Sequence, residues 1–171
     1  EDHIGVAIIG ETVYLKPVGF ATQHNSLGIP DFLEAMFRMG SKQVAVDLAE
    51  CKGMDSTFLG VLAAAASSLS RKSGKTVAVL NCDEAAARQF KRIGLTPMLC
   101  IRKGKVTPPP VQLRRINFVH FPKTERGRLK EIRRLHQELI KLNPMNEQLF
   151  GPFVRMLGEE LRKASEQGGQ G

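Results

Sequence analysis

The sequence is poor in the residues that form aromatic binding platforms and disulfide frameworks. It has no Trp and one Tyr in 171 residues, which argues against the stacking of bases or sugars on aromatic side chains. Its three cysteines, Cys51, Cys82 and Cys100, form an odd and widely spaced set, so reduced thiols in a cytoplasmic protein are expected rather than disulfides. The longest apolar stretch, 58–66, is far shorter than the roughly 20 residues that a bilayer helix needs, and no membrane segment is predicted.

Charge is distributed unevenly along the chain. The formal net charge is +8, yet residues 1–100 contribute none of it, because 10 basic and 10 acidic residues cancel there. Residues 101–171 hold 15 Lys or Arg against 7 Asp or Glu and therefore carry the whole excess. A compositional break of this kind indicates two units with different roles.

The first hundred residues follow the pattern of an α/β domain. Apolar and polar residues alternate on both sides of Gly10-Glu11-Thr12, which predicts a β-hairpin over residues 4–18. A polar loop at 20–28 precedes a helix that opens at Pro30-Asp31. The later elements are a strand at 43–48 broken by Lys52-Gly53, a helix from Asp55 to Ser73, a strand at 76–80, a helix from Asp83 to Ile93 and a strand at 99–101. This alternation predicts a sheet with parallel neighbours and helix cover.

The second unit has a different organisation. A basic, proline-containing linker is predicted for residues 104–123, within which 112–121 fits a further strand. Two amphipathic helices separated by Asn143-Pro144 predict a helical hairpin over 124–166, and the glycine-rich end, 167–171, is expected to be disordered. The apolar stripes of the two helices are Leu129, Ile132, Leu135, Leu139 and Leu142, and then Leu149, Phe153, Leu157 and Leu161.

These apolar stripes need a packing partner. Apolar surface left in water is unfavourable by about 25 cal/mol per Å², and an isolated helix pair is marginally stable. The stripes must therefore pack on the N-terminal domain, on each other, or on a second copy of the chain. We expect a second copy to take part, which predicts a homodimer formed through the C-terminal helices.

The most specific segment follows the strand at 43–48. That strand ends in Val46-Asp47-Leu48, and a short loop then delivers Met54-Asp55-Ser56-Thr57 to the start of a helix. Asp, Ser and Thr are favoured at such a start because their side-chain oxygens accept hydrogen bonds from backbone N–H groups that have no partner within the helix. Taken alone, this chemistry is that of a helix cap.

The longer pattern Met-Asp-Ser-Thr-x-Leu-Gly, residues 54–60, resembles the signature of bacterial anti-sigma factor antagonists, the STAS family. The resemblance runs through most of residues 4–101 and includes Lys91-Arg92-Ile93-Gly94-Leu95. It implies a STAS-type domain over 1–103, with a mixed sheet and helices mainly on one face. It also implies a regulatory protein without enzymatic activity, in which the serine after the Asp, here Ser56, is phosphorylated by a partner anti-sigma factor that is a serine kinase.

The resemblance also implies a partner-binding surface around Ser56. Phe58 stands where the family usually has Gly, and the loop at 22–25 lacks the acidic residue of many members. We expect Phe58 and Leu59 to frame an exposed apolar contact surface. The candidate partner-binding residues are Asp55, Thr57, Phe58, Leu59, His24 and Asn25. One alternative stays open here, a constitutive scaffold that assembles through its C-terminal helices and in which Ser56 is only a helix cap.

A second alternative is nucleic-acid binding by the basic segment, residues 102–134. It has 11 Lys or Arg and only Glu125 and Glu131 as acidic residues, a density that attracts phosphate groups. It has few interleaved aromatic residues and no row of Arg or Asn at groove-reading spacing, so specific nucleic-acid recognition is not expected. The four histidines show no metal-binding spacing with the cysteines, and no catalytic residue, metal or cofactor is predicted.

Overall fold

The structure, a computed structural model, describes residues 1–107, 113–115 and 122–168. Its strands are β1 (His3–Ile9), β2 (Thr12–Ala21), β3 (Gln43–Asp47), β4 (Cys51–Met54), β5 (Val77–Leu80), β6 (Leu99–Ile101) and β7 (Arg114–Arg115). Its helices are α1 (Gln23–Ser26), α2 (Ile29–Arg38), α3 (Ser56–Ser73), α4 (Glu84–Arg92), α5 (Glu125–Leu142) and α6 (Asn146–Gly168), with a 3₁₀ turn at Thr96–Met98.

The strands form one mixed sheet in the order β6-β5-β3-β2-β1-β7, with β4 attached to β2. β1 is antiparallel to β2 and β7, whereas the pairs β2–β3, β3–β5 and β5–β6 are parallel. β2 has ten residues and pairs first with β3 and then, from Gly19 to Ala21, with β4. Because Ala21 lies opposite Met54, the starts of α1 and α3 emerge side by side at one edge of the sheet.

One face of the sheet carries the main helical layer. Along β2, Val13 and Leu15 are buried while Tyr14 and Lys16 are half-exposed, which is the alternation expected of a sheet packed mainly on one side. The buried face packs against α3, which is buried along most of its length. The predicted class is therefore confirmed: α/β, a mixed sheet with helices mainly on one face, and a C-terminal helical extension.

Two local predictions near the sheet edge are corrected. The polar loop expected at 20–28 contains the one-turn helix α1, because Thr22 and Asn25 cap its start reciprocally. Lys52-Gly53 does not end extended structure, since both residues lie within β4. Neither element has the apolar periodicity that reveals a strand or a helix. β4 is held by pairing with β2, and α1 is held by its side-chain caps.

The C-terminal helices α5 and α6 form an antiparallel pair, here called the hairpin, which lies against α3 through α5. Ile132, Leu135 and Leu139 are buried as the first stripe predicted. In α6, Leu157 is buried but Leu149 is exposed, and Val154 is buried instead. Apart from Leu149, the residues of the two stripes are thus buried or half-buried within one chain, and the homodimer stays a prediction.

The ends of the second unit differ partly from expectation. α6 runs to Gly168, so residues 167 and 168 are helical rather than disordered, and 169–171 lie outside the described residues. The strand predicted over 112–121 is represented by the two residues of β7, and 112 and 116–121 also lie outside the described residues. Among the residues that are described, no helix is both long and apolar enough to cross a membrane.

Candidate functional site

Asp55 fixes the start of α3. It is the N-cap, and its Oδ1 accepts a hydrogen bond from the backbone N–H of Phe58 at 2.9 Å. Its Oδ2 accepts from the backbone N–H of Gln23, also at 2.9 Å, and its own N–H donates to the carbonyl of Ala21 at 3.0 Å. The carboxylate therefore joins the first turns of α1 and α3. The helix cap is Asp55, and Ser56 is the first helical residue.

Ser56 is half-buried, and its hydroxyl points towards a residue 80 positions later in the chain. The Ser56 Oγ lies 2.8 Å from Nε2 of His136, which is on α5. The Nδ1 of His136 lies 2.7 Å from the carbonyl oxygen of Ile132. A carbonyl oxygen only accepts hydrogen bonds, so Nδ1 carries the proton in the neutral ring and Nε2 accepts from the Ser56 hydroxyl.

His136 is held as a neutral imidazole. Only 2% of its surface is exposed. Burial lowers its pKa below the ordinary value, although the Ile132 carbonyl and the Asp55 charge act in the opposite direction. The rings of Phe150 and Phe153 on α6 meet it edge-on, with centroids 5.4 and 4.9 Å away. Ser56 therefore donates into an apolar enclosure built by both hairpin helices.

A glycine lets α5 approach α3 closely beside this hydrogen bond. A Cβ atom at Gly60 would lie 2.6 Å from the carbonyl oxygen of Leu135 and 2.9 Å from its Cβ. Any side chain at this position would push the two helices apart. The glycine of the Met-Asp-Ser-Thr-x-Leu-Gly pattern thus provides the space in which α5 covers the first turns of α3.

A second polar contact fastens the far end of the hairpin. Asn146, which is fully buried, donates through Nδ2 to the carbonyl oxygens of Ile93 at 2.9 Å and Leu139 at 2.7 Å. Nearby, Asn143 packs against Gly94, where an added Cβ would lie 2.9 Å from its Nδ2. The turn between α5 and α6 is therefore seated against the end of α4.

The predicted partner-binding residues do not form one exposed surface. Thr57, Phe58 and Leu59 are buried, and Phe58 is completely inaccessible, so the exposed apolar frame expected around Ser56 is wrong. Phe58 lies in the turn of α3 that faces the core, where a large apolar side chain is stabilised by removal from water. A direct role of these residues in binding a partner stays a prediction.

The two candidates in the α1 segment have different environments. Asn25 is buried, with Oδ1 accepting from Thr22 N–H at 3.0 Å and Nδ2 donating to the Phe20 carbonyl at 2.8 Å, so its side chain holds the local fold. His24 is exposed, and its Nδ1 lies 3.5 Å from Nη2 of Arg128 on α5. The structure thus brings Asp55, Ser56 and His24 to the sheet edge that the hairpin overlies.

Sequence reasoning missed His136. It weighed the histidine only as a metal ligand, and no group of side chains suited to a metal ion occurs among the described residues. The available signal was its position: His136 lies four residues after Ile132 and three before Leu139, inside the apolar stripe of α5. A histidine in such a stripe is buried and needs polar partners, but its partner on another helix cannot be named from the spacing.

Comparison with known proteins supports the fold of the N-terminal part. No protein-family model matches the chain, and no curated protein matches it either. Among solved structures, a crystal structure of a candidate anti-sigma factor antagonist from Thermotoga maritima, TM1081, is similar at 20% identity and a TM-score of 0.51, over 57% of this chain and 84% of that one. The NMR structure of TM1081 gives 20% identity and a TM-score of 0.52, over 57% and 78%.

A third similar structure is the unphosphorylated anti-sigma factor antagonist SpoIIAA, at 18% identity and a TM-score of 0.47, over 52% of this chain and 81% of that chain. The matches to TM1081 establish a shared fold. The predicted STAS-type fold is thereby confirmed for the N-terminal part, and little more than half of the chain is covered by these matches.

Proposed function

We propose that the chain is a regulatory protein-binding module that acts by partner switching. In this proposal the phosphorylation state of Ser56 decides whether an anti-sigma factor, or a related serine kinase, is captured. The observation that carries it is the placement of Ser56 as the first residue of α3, next to the Asp55 cap, on a STAS-type fold. In this proposal the protein regulates transcription in the bacterial cytoplasm and has no catalytic activity of its own.

The start of α3 suits a serine that gains and loses a phosphoryl group. The N–H groups of a helix's first turn have no intrahelical partner, and the helix dipole presents roughly half a positive charge there. The Phe58 N–H donates to the Asp55 side chain and the Leu59 N–H to the Asp55 carbonyl, so the N–H groups of Ser56 and Thr57 are those that a phosphate oxygen would use. The N-terminal domain should therefore remain folded when Ser56 is phosphorylated.

A partner that contacts the unmodified serine would meet a different surface after phosphorylation. The phosphoryl group adds about −1.5 to −2 charges, and the neighbouring Asp55 is also acidic. Burying that charge in an interface without a cationic partner lowers affinity by about a hundredfold or more. The unmodified form is then the binding form, and the phosphorylated form is the released one.

The test has two parts. The wild-type protein is used to capture anti-sigma factors and serine kinases from the native host. Each captured protein is then incubated with this chain and ATP, and phosphorylation of this chain is measured by its intact mass. We expect one added phosphate on the wild type, none on Ser56→Ala, and normal labelling of Ser70→Ala, which removes an exposed serine of the same helix. Labelling of Ser56→Ala at the wild-type level contradicts the proposal.

Affinity for the captured partner completes the test. Ser56→Ala should bind constitutively, and Ser56→Asp should bind about a hundredfold more weakly without a large change in the melting temperature of the N-terminal domain. Equal affinity of Ser56→Asp and wild type would instead support the second candidate, a constitutive scaffold. One observation favours that scaffold: the Ser56 hydroxyl already has a partner within the chain, His136.

A further inference from the structure

The surface around Ser56 is already occupied, and the occupant belongs to the same chain. α5 lies on α3, the Ser56 hydroxyl donates to His136, and Leu135 fills the space above Gly60. A protein that needed the first two turns of α3 would have to displace the hairpin. The same holds for a kinase, because the Oγ must be free to attack the γ-phosphorus of a nucleoside triphosphate.

We propose that the hairpin is an intramolecular competitor for the Ser56 surface, and that a phosphoryl group on Ser56 expels it. The identity of the kinase and of the partner rests on the proposed function above. The docking of the hairpin and its response to a phosphate on Ser56 do not depend on that function, and they are tested separately.

The size of the phosphoryl group is the first reason for expulsion. Phosphorylation forms a bond between Ser56 Oγ and the γ-phosphorus, breaks the bond to the bridging oxygen, releases the nucleoside diphosphate and frees the hydroxyl proton. The product carries three further oxygens where Nε2 of His136 now lies 2.8 Å from Oγ. That distance is filled by a single hydrogen bond, so α5 must move to admit a phosphorus atom and its oxygens.

Charge is the second reason. The enclosure opposite Ser56 consists of a neutral imidazole with Phe150 and Phe153 around it, and it offers no permanent cation to a phosphate. The carboxylate of the adjacent residue Asp55, which caps α3 through its Oδ1, repels the added charge. Arg128 is a cation of α5 near this edge, but its Nη2 is directed to His24, at 3.5 Å. A phosphate is better accommodated in water at the start of α3 than beneath the hairpin.

The hairpin is held to the N-terminal domain in a way that allows it to separate. Among the described residues, its side-chain hydrogen bonds to the domain are those of His136 with Ser56, Asn146 with the Ile93 carbonyl and Arg128 with His24, and its apolar contact is mainly one face of α5. The sheet below does not depend on it for strand pairing. Hairpin docking and partner binding then compete, so the apparent dissociation constant of a partner equals its intrinsic value divided by the fraction of open molecules.

The decisive experiment places phosphoserine at position 56 during translation, so that no kinase is needed. Hydrogen exchange of the full chain is then followed by mass spectrometry, peptide by peptide. We expect exchange within 125–168 to accelerate by about a hundredfold, while peptides from β3 and β5 keep their protection. Phosphoserine at position 70, an exposed site near the end of the same helix, is the matched control and should change neither region.

The opposite result is specific and would overturn the proposal. If His136 took up a proton and paired with the phosphate, the hairpin would be held more tightly, and peptides from α5 would exchange as slowly as in the unmodified protein or more slowly. That outcome would make the hairpin a phosphate clamp rather than a competitor.

A variant at Gly60 tests the competition without any phosphate. In Gly60→Leu the new side chain occupies the position of the Leu135 backbone, and leucine is a better helix former than glycine, so α3 itself is not weakened. We expect rapid exchange of α5 with preserved protection of β3 and β5, whereas Ser70→Leu leaves both unchanged. Unchanged protection of α5 in Gly60→Leu would overturn docking over Ser56.

The two proposals fail in different ways. If phosphoserine at 56 opens the hairpin but no host kinase modifies Ser56, the partner-switching function fails and the competition stands. If a host kinase modifies Ser56 and the partner responds, yet exchange of α5 does not change, the function stands and the competition fails.

Discussion

The N-terminal domain and the hairpin bury apolar surface in different ways. In the domain, strands distant in sequence pair with one another, and α3 packs over them, so each buried residue is surrounded by several elements. The hairpin adds two helices that meet the domain along one face of α5 and at the turn between α5 and α6. The domain is therefore expected to unfold as one unit, whereas the hairpin can detach while the sheet remains intact.

The two regions also use charge differently. Residues 1–100 are neutral in sum, residues 101–123 hold six Lys or Arg and no acidic residue, and the hairpin holds nine Lys or Arg against seven Asp or Glu. Two basic residues of the hairpin have a structural role, since Arg126 donates to the carbonyl of Leu161 at 2.6 Å and Arg133 to that of Val154 at 3.1 Å. Both arginines join α5 to α6. Two arginines of the basic segment are thus used to hold two helices together, so a high density of basic residues does not by itself indicate nucleic-acid binding.

The largest expected effect is a loss of stability of the N-terminal domain. Phe58→Ala removes a fully buried ring and should lower the free energy of unfolding of the N-terminal domain by about 3–5 kcal/mol. Phe20→Ala, at a position half exposed on β2, is the matched control and should cost well under half as much. Chemical denaturation followed by circular dichroism measures both, and equal losses would contradict the assignment of Phe58 to the core.

The next effect is confined to the hairpin. Leu135→Ala truncates a side chain that is buried between α5 and α3 and should weaken docking by about 2–5 kcal/mol. Peptides from α5 and α6 should then exchange hydrogen rapidly, with β3 and β5 still protected. Leu149→Ala, at an exposed position of α6, serves as the control, and loss of protection throughout the chain would show that the two regions are not separable.

A smaller loss of stability is expected when either of two helix caps of the domain is removed. Asp55 accepts two backbone hydrogen bonds from different elements, while the side chain of Asp83 accepts one, from Ala86 N–H. Asp83→Ala should cost about 1 kcal/mol of unfolding free energy, and Asp55→Ala about 2 kcal/mol, because it also leaves the Gln23 N–H without its partner. Urea denaturation decides the order, and a larger loss for Asp83→Ala would be the contrary result.

The smallest expected effect is a pH dependence of hairpin docking. Burial lowers the pKa of His136 in the docked state below its ordinary value of 6.5, so the undocked state binds more protons. Docking is therefore fully stable above pH 6.5 and weakens as the pH falls from there through the lowered pKa. Exchange of α5 should accelerate in that range for wild type, after correction for the intrinsic pH dependence of exchange.

Two variants test whether His136 causes this pH dependence. His136→Gln removes the titration and should abolish the acid-induced acceleration, and any change that it causes in docking is independent of pH. His24→Gln removes an exposed histidine near the same edge and should retain the wild-type profile. If His24→Gln loses the dependence instead, the assignment of the pH dependence to His136 is wrong.

Most of the elements were predictable because their signals are local. Gly10-Glu11-Thr12 between alternating residues produced the β1–β2 hairpin, and Asp83 caps α4 as its position suggested. The exceptions, α1 and β4, lack periodicity: α1 forms because Thr22 and Asn25 cap its start, and β4 forms because β2 is long enough to pair with both β3 and β4. The candidate site was predictable in part: Ser56 stands at the start of α3, but Phe58 faces the core instead of a partner.

The sequence by itself determined the α/β class, the helix that begins after Asp55 and the amphipathic character of the two C-terminal helices, because caps and periodicity act over a few residues. Only the tertiary structure decided that α5 covers Ser56. That contact joins residues 80 positions apart, and it depends on the absence of a side chain at Gly60 and on the direction in which α5 crosses α3. An apolar stripe indicates that one face of a helix must be buried. Which surface buries that face depends on the shape of the whole fold.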